Sequence, residues 1–198
     1  MSEQQPVKSP VGSAGLPRLA LLGPGQRTPE QRELLSDVMG DDAPNLLTTV
    51  VQHPALYRTW LPFCLQLLLH SVFPPREREL LIIRTISLSR CSYELEYHLT
   101  FGGEAGLTDD EIASLTGDGS GTWTSRDRSL ITAVDELYAT QTITDATWQD
   151  LSARLTTEQL IELPMLVGHY VLLAGLLSSL GVPLDGRPDL LEDPRLKK

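Results

Sequence analysis

The run Cys91-Ser92-Tyr93-Glu94-Leu95-Glu96-Tyr97-His98 gathers a thiol, carboxylates, phenols and an imidazole in eight residues. On a helix, offsets of 0, 3 and 7 share a face, so Cys91, Glu94 and His98 would form one stripe about two turns long, continued by Phe101. An imidazole with an unperturbed pKa near about 6.5 can give or take a proton, and a neighbouring carboxylate fixes its tautomer. A dry pocket would raise the pKa of a glutamate placed there. Twelve residues before Cys91, Glu79 falls on a stripe otherwise made of Ile82, Ile83 and Ile86. A carboxylate on an apolar face is costly unless it is paired, hydrogen-bonded or functional. If the segments of Glu79 and His98 form an antiparallel hairpin, Glu79 joins the cluster. The chemistry this suits is proton transfer, with His98 as principal acid/base, Glu94 and Glu79 tuning it and Cys91 lining the pocket. The same spacing also describes an ordinary i, i+4 surface pair worth a few tenths of a kcal/mol, with Cys91 a small core residue. No second histidine stands at ligand spacing in the stripe, so no metal site is expected.

The elements that must position these groups all read as helices. Thr28-Pro29-Glu30-Gln31 supplies an N-cap, a proline at the first helical position and a glutamine able to close a capping box, with Gly40 as the stop. A short helix over about 44–52 follows, then a longer one from Pro54 to His70 with Pro62 inside it, ended by Pro74-Pro75. From Pro75 to Ile86, acids in the first turns and an apolar face at 79, 82, 83 and 86 predict a buried helix. The next runs from Ser92 to Ala105 with Gly106 as its cap; further N-caps fall at Thr108, at Thr124 or Ser125, at Thr144 and at Thr156. The last of these opens a long apolar helix ending at Gly181. No alternating strand pattern is present, so the expected class is all-α, one domain over 28–181 between a flexible tail at 1–27 and an extended arm at 182–198.

Acidic residues outnumber basic ones by 26 to 16, and the net charge of -10 disfavours nucleic acid and anionic membranes as partners. Two cysteines in a chain with core enough to fold without a bridge fit a reducing compartment. The first ten residues are polar and the only early apolar run, residues 19–22, is short, so no signal peptide is expected and a cytoplasmic location is. Residues 163–180 carry no formal charge and approach the length of a membrane span. They hold Pro164, His169, Ser178 and Ser179 and lack basic flanks, so a helix buried in a core or subunit interface is the preferred reading. His53 and His70 read as helix-end residues, and Gly102-Gly103 lacks the Lys-Ser/Thr of a phosphate loop.

Arg76-Glu77-Arg78-Glu79-Leu80, then Tyr93-Glu94 with His98, then Gly106-Leu107-Thr108 and Glu111-Ile112 resemble the core of the carboxymuconolactone decarboxylase and AhpD-like superfamily. The likeness extends over about 54–181 through Asp135-Glu136-Leu137 and Gly168-His169-Tyr170 and excludes both tails. It implies an all-helical fold, usually trimeric or hexameric, which would bury 163–180 between subunits. In the thiol peroxidase branch a Glu precedes a C-x-x-C pair with a Tyr between the cysteines and a His four residues after the second. Glu79, Cys91, Tyr93 and His98 match that pattern, but Glu94 stands where the peroxide-attacking cysteine belongs. A dithiol cycle needs two sulfurs within bridging distance, and Cys64 falls on a different predicted helix. The resemblance therefore implies the decarboxylase-like branch: a cofactor-independent, lyase-like enzyme acting on a small carboxylated lactone or related carbonyl acid. Tyr93, His169 and Arg84 are the candidate substrate-binding residues. The rivals are a thiol-dependent hydroperoxide reductase using Cys91 and a non-catalytic helical oligomer that binds a ligand or partner.

Overall fold

The computed structural model describes residues 17–186. Among them the chain is all-helical: α1 Pro29–Ser36, α2 Asn45–Val50, α3 Pro54–Leu69, α4 Pro75–Leu88, α5 Ser92–Glu104, α6 Asp109–Thr116, α7 Ser125–Thr140, α8 Asp145–Ser152 and α9 Thr157–Leu180, with two single 3-10 turns at Pro24–Gln26 and Gly40–Asp42. The starts are set by threonine. The hydroxyls of Thr28, Thr108, Thr124, Thr144 and Thr156 accept from the amides of Gln31, Glu111, Asp127, Thr147 and Gln159 at 3.1 to 3.4 Å. Each such cap is worth about 1 kcal/mol.

Helix α4 is the axis of the molecule. Every residue from Glu79 to Ile86 is buried, because α5, α6, α7 and α9 all pack around it. Its first turn is clamped by ion pairs, Arg76 with Asp127 at 3.0 Å and with Glu111, and Glu77 with Arg126 at 2.7 Å. Arg84, expected to bind substrate, is instead a structural clamp: it pairs with Asp135 at 2.6 and 3.1 Å. The same guanidinium donates to Leu115 O at 3.2 Å and Gly117 O at 2.9 Å, carbonyls that the end of α6 leaves without helical partners.

Helix α9 turns Leu163, Leu166, Val167, Tyr170, Leu173, Ala174 and Leu177 inward, while Ile161, Met165 and Leu172 are about half exposed at 59, 48 and 55 %. It is the one described helix long and apolar enough to cross a membrane, and its inward face is core of this domain, against α4, α7, α3 and α8.

Where they are described, both tails are held by hydrogen bonds to the helical domain. Residues 17–27 do not hang free. The Arg18 amide donates to Leu180 O at 2.9 Å and its guanidinium to Ser179 O at 3.1 Å, closing the end of α9. Gln52 holds Ala20 O at 3.0 Å, and Arg27 is buried with Asp41 and the carbonyl of Leu22. A segment without hydrophobic period is thus ordered by hydrogen bonds to helix ends. Residues 182–186 likewise fold back after Gly181, which takes a left-handed φ of 64° and lets the Val182 amide donate to Leu177 O at 3.0 Å. Residues 1–16 and 187–198, the rest of the expected tail and arm, lie outside the described residues.

Candidate active site

The site is made by the α4–α5 hairpin. After α4, Arg90 takes a left-handed φ of 53° and the Cys91 amide donates back to Ile86 O at 3.1 Å, so α5 returns along α4. Gly102, one turn beyond His98, sets the spacing: a Cβ there would stand 2.6 Å from Ile83 Cδ1, so its missing side chain allows the close approach. Gly106, with φ 98°, ends the helix and places the Leu107 amide 2.9 Å from Gly102 O.

Across this hairpin Glu79 and His98, nineteen residues apart, meet with His98 Nδ1 2.7 Å from Glu79 Oε2. Glu79 is wholly buried and its other oxygen accepts twice from the Arg78 guanidinium, at 3.0 and 2.9 Å. Burial by itself would push the Glu79 carboxyl up, but His98 and Arg78 outweigh it and hold it below the usual carboxylate range. An ionised Glu79 can only accept, so Nδ1–H donates to it and Nε2 is the ring nitrogen left for other partners. That nitrogen faces Glu94 Oε2 at 3.7 Å, beyond direct hydrogen bonding. Glu94 sits in the opposite state. Burial pushes its carboxyl up, more than contact with His98 lowers it, and the charge of Asp185 adds to the rise. Its Oε1 is buried with no hydrogen-bond partner among the described residues. The rings of Phe101 and Tyr170 stand edge-on to the imidazole at 5.7 and 5.1 Å and fix its plane.

His98 and Glu94 open onto a cavity of about 90 Å³ between α5, the start of α2, α3 and α9. This has room for several waters or a small organic molecule. Its wall is mainly leucine with Val38, Phe101 and the faces of Tyr93, Tyr97 and Tyr170, and among the described residues neither lysine nor arginine is part of it. The sulfur in the wall is that of Cys64, on α3, not Cys91. Cys91 is buried at the N-cap of α5 and is not part of the lining. Burial pushes both thiols up, Cys64 to about 12 and Cys91 to about 11. Tyr93 lines the cavity as expected, although its hydroxyl is engaged by Asp185 at 2.5 Å. His169 stays outside the lining, stacked on Trp60 at 6.3 Å and edge-on to Phe63 at 5.3 Å. Burial lowers its pKa to about 4, so it is a neutral core imidazole. The structure thus brings Glu79, Glu94, His98 and Tyr93 together and leaves Cys91, His169 and Arg84 apart. Sequence reasoning missed Cys64, Tyr170 and Asp185; apolar spacing on α3 and α9 holds the only local trace of the first two. Among the described residues no group of three or more His, Cys, Asp and Glu side chains has the geometry to hold a metal ion.

Residues 54–120 match the family model described as the carboxymuconolactone decarboxylase family. Among solved structures, the chain is similar to an alkylhydroperoxidase AhpD core from Ralstonia eutropha, an uncharacterized peroxidase-related protein, with a TM-score of 0.72 and 16% identity over 92% of this chain and 98% of that one. A peroxidase-related protein from Silicibacter sp. gives 0.67 and 16% identity over 93% and 96%. An AhpD-like protein of unknown function from Agrobacterium tumefaciens gives 0.62 and 13% identity over 70% and 97%. Identities this low speak for the fold alone, and a comparison with curated proteins gives no match. The family model lies on α3 to α6, the stretch that carries Glu79, Glu94 and His98, and the helical frame around it is that of the AhpD-like structures; over residues 54–120 the chain is similar to the carboxymuconolactone decarboxylase family, and its fold is AhpD-like.

Proposed function

We propose that the protein is a cofactor-independent, lyase-like enzyme that decarboxylates, or otherwise moves a proton on, a small carboxylated lactone or related carbonyl acid. One observation carries this reading: His98 stands between two buried carboxyls that their surroundings push in opposite directions. Groups pushed apart in this way divide the acid and base roles. Glu79, held ionised by Arg78, fixes the Nδ1–H tautomer and stabilises positive charge on the ring. Nε2 takes the proton, and Glu94, whose carboxyl burial pushes towards the protonated form, faces the oxygen on which negative charge develops. In the decarboxylating form His98 enters with Nε2 protonated, paired with the substrate carboxylate; loss of carbon dioxide leaves an enolate, which takes that proton and returns the ring to its neutral form. With no lysine or arginine in the wall among the described residues, protonated His98 is also the cationic partner for a substrate carboxylate.

The peroxidase-related names of the structural relatives bring in a thiol mechanism. Against it, the attacking species is a thiolate, and burial holds both cysteines as thiols. Cys91→Ala is expected to keep a substantial part of the activity, and peroxide to form no Cys64–Cys91 bridge detectable by mass spectrometry. A silent oligomer gives no reason for a half-buried Arg78 to hold a buried Glu79–His98 pair whose imidazole faces a cavity. We further propose that the exposed face of α9 is covered by other copies of the chain.

The deciding experiment is His98→Ala assayed on a panel of small lactone and keto acids. Turnover is expected to fall by about 10²- to 10⁴-fold with circular dichroism unchanged. A folded variant with near-normal turnover overturns the assignment.

A further inference from the structure

One feature of the cavity belongs to neither the sequence cluster nor the superfamily pattern. Just past α9, Asp185 reaches two remote parts of the chain. Its Oδ2 accepts from the hydroxyls of Tyr93 and Tyr97, both at 2.5 Å, and its Oδ1 from the Asn45 amide at 2.7 Å. The Asn45 side chain in turn donates to Pro183 O at 3.2 Å and Leu184 O at 3.4 Å, and the Leu46 amide donates to the Tyr93 hydroxyl at 3.1 Å. One carboxylate therefore ties residues 182–186 to the first turn of α2 and to α5. Of the residues so joined, Tyr93, Tyr97 and Leu46 are in the cavity wall, as is Pro44 next to Asn45.

We propose that residues 182–186, none of which lines the cavity, are a strap that holds its α2 and α5 walls together and so keeps it closed, and that Asp185 is the latch and a positioning residue for the Glu94–His98 pair. The closing part stands on geometry alone; the positioning part rests on the proton-transfer reading. Pro183, Leu184 and Gly186 are exposed, so little apolar burial holds the strap and its hydrogen bonds do. Bonds to an ionised acceptor are the stronger kind, and here three converge on one group. Tyr93, Glu94 and Tyr97 lie on consecutive turns of one helix, so holding the two phenols fixes the backbone from which Glu94 projects. The Asp185 charge also helps to keep Glu94 neutral, after burial has done most of it.

Cys64 reports closure, since it lies in the cavity wall and takes no part in the latch. In a Cys91→Ser background its reaction with methyl methanethiosulfonate, a small uncharged reagent, is timed by mass spectrometry under native conditions. Asp185→Ala is expected to speed labelling by about tenfold, which corresponds to about 1.4 kcal/mol. Asp185→Asn, which keeps an oxygen acceptor, should speed it less, and Tyr97→Phe, which removes one bond and leaves the carboxylate, about threefold. Unchanged labelling in a folded Asp185→Ala protein, or in Tyr97→Phe should the first not fold, overturns the strap. Positioning is read by infrared titration of the Glu94 carboxyl, its band assigned by loss in Glu94→Gln. In Asp185→Asn the midpoint should move to lower pH, and an unmoved midpoint overturns the positioning role. Neither measurement involves turnover, so either can fail while the His98 reading stands, and the reverse.

Discussion

Replacing His169 with phenylalanine tests whether that imidazole belongs to the core or to the site. In the folded protein Trp60, Phe63 and Tyr170 surround it, and burial lowers its pKa from 6.5 to about 4. Because the folded value is the lower one, folding favours the neutral ring. The contribution is complete above the unfolded value of 6.5 and is lost as pH falls towards 4, where the unfolded chain binds a proton that the folded chain refuses. A gap of about 2.5 pH units at about 1.36 kcal/mol each gives about 3 kcal/mol in the limit, of which about 2.5 kcal/mol is already lost at about pH 4.5. Phenylalanine fills a similar volume and does not titrate. Urea unfolding of both proteins at about pH 7.5 and about pH 4.5 isolates this group, because the carboxylates common to both cancel in the difference. Wild type should lose about 2.5 kcal/mol more than His169→Phe on acidification. Parallel losses refute a buried neutral His169. As His169 lies outside the cavity wall, the variant should also keep its turnover within a few fold, and a large loss would restore the imidazole to the site.

Glu94→Gln keeps the shape and one acceptor but not the acid. Its raised pKa means the neutral form is lost as pH rises through that value, so the alkaline limb of a turnover profile due to Glu94 should vanish in the variant; an unchanged limb assigns it elsewhere. Arg84→Ala should cost about 3 kcal/mol in urea unfolding, since it strips Asp135 and the end of α6 of their donor, while ligand affinity stays put. A selective loss of affinity in a stable variant would return Arg84 to the site. Sedimentation should show a trimer or larger, dissociated by Met165→Asp with Leu172→Asp on the exposed face of α9. A wild-type monomer at micromolar concentration removes the basis for that assembly.

Local chemistry in the chain was enough for the helices and for the heart of the site. Threonine caps, prolines at first turns and glycines after last turns act within a few residues, so α1 to α9 and most of their ends were legible. Helical offsets joined Glu94 to His98, and a lone carboxylate on the isoleucine stripe marked Glu79 as in need of a partner. The same offsets misplaced Cys91, because an N-cap residue has left the helix: with φ -91° and ψ 94° its side chain does not follow the wheel. Composition could not show how residues 17–27 and 182–186 are held, since a hydrophobic period says nothing about segments held by hydrogen bonds to helix ends. What only the tertiary structure decided is who answers a polar group from afar. Arg84 was drawn to Asp135 and the end of α6, His169 was enclosed by aromatic rings, Cys64 took the place in the cavity wall, and Asp185 crossed 92 residues of chain to reach Tyr93. Each outcome depends on how helices pack, and the period of a single helix carries only its own buried face, not the identity of what will be buried against it.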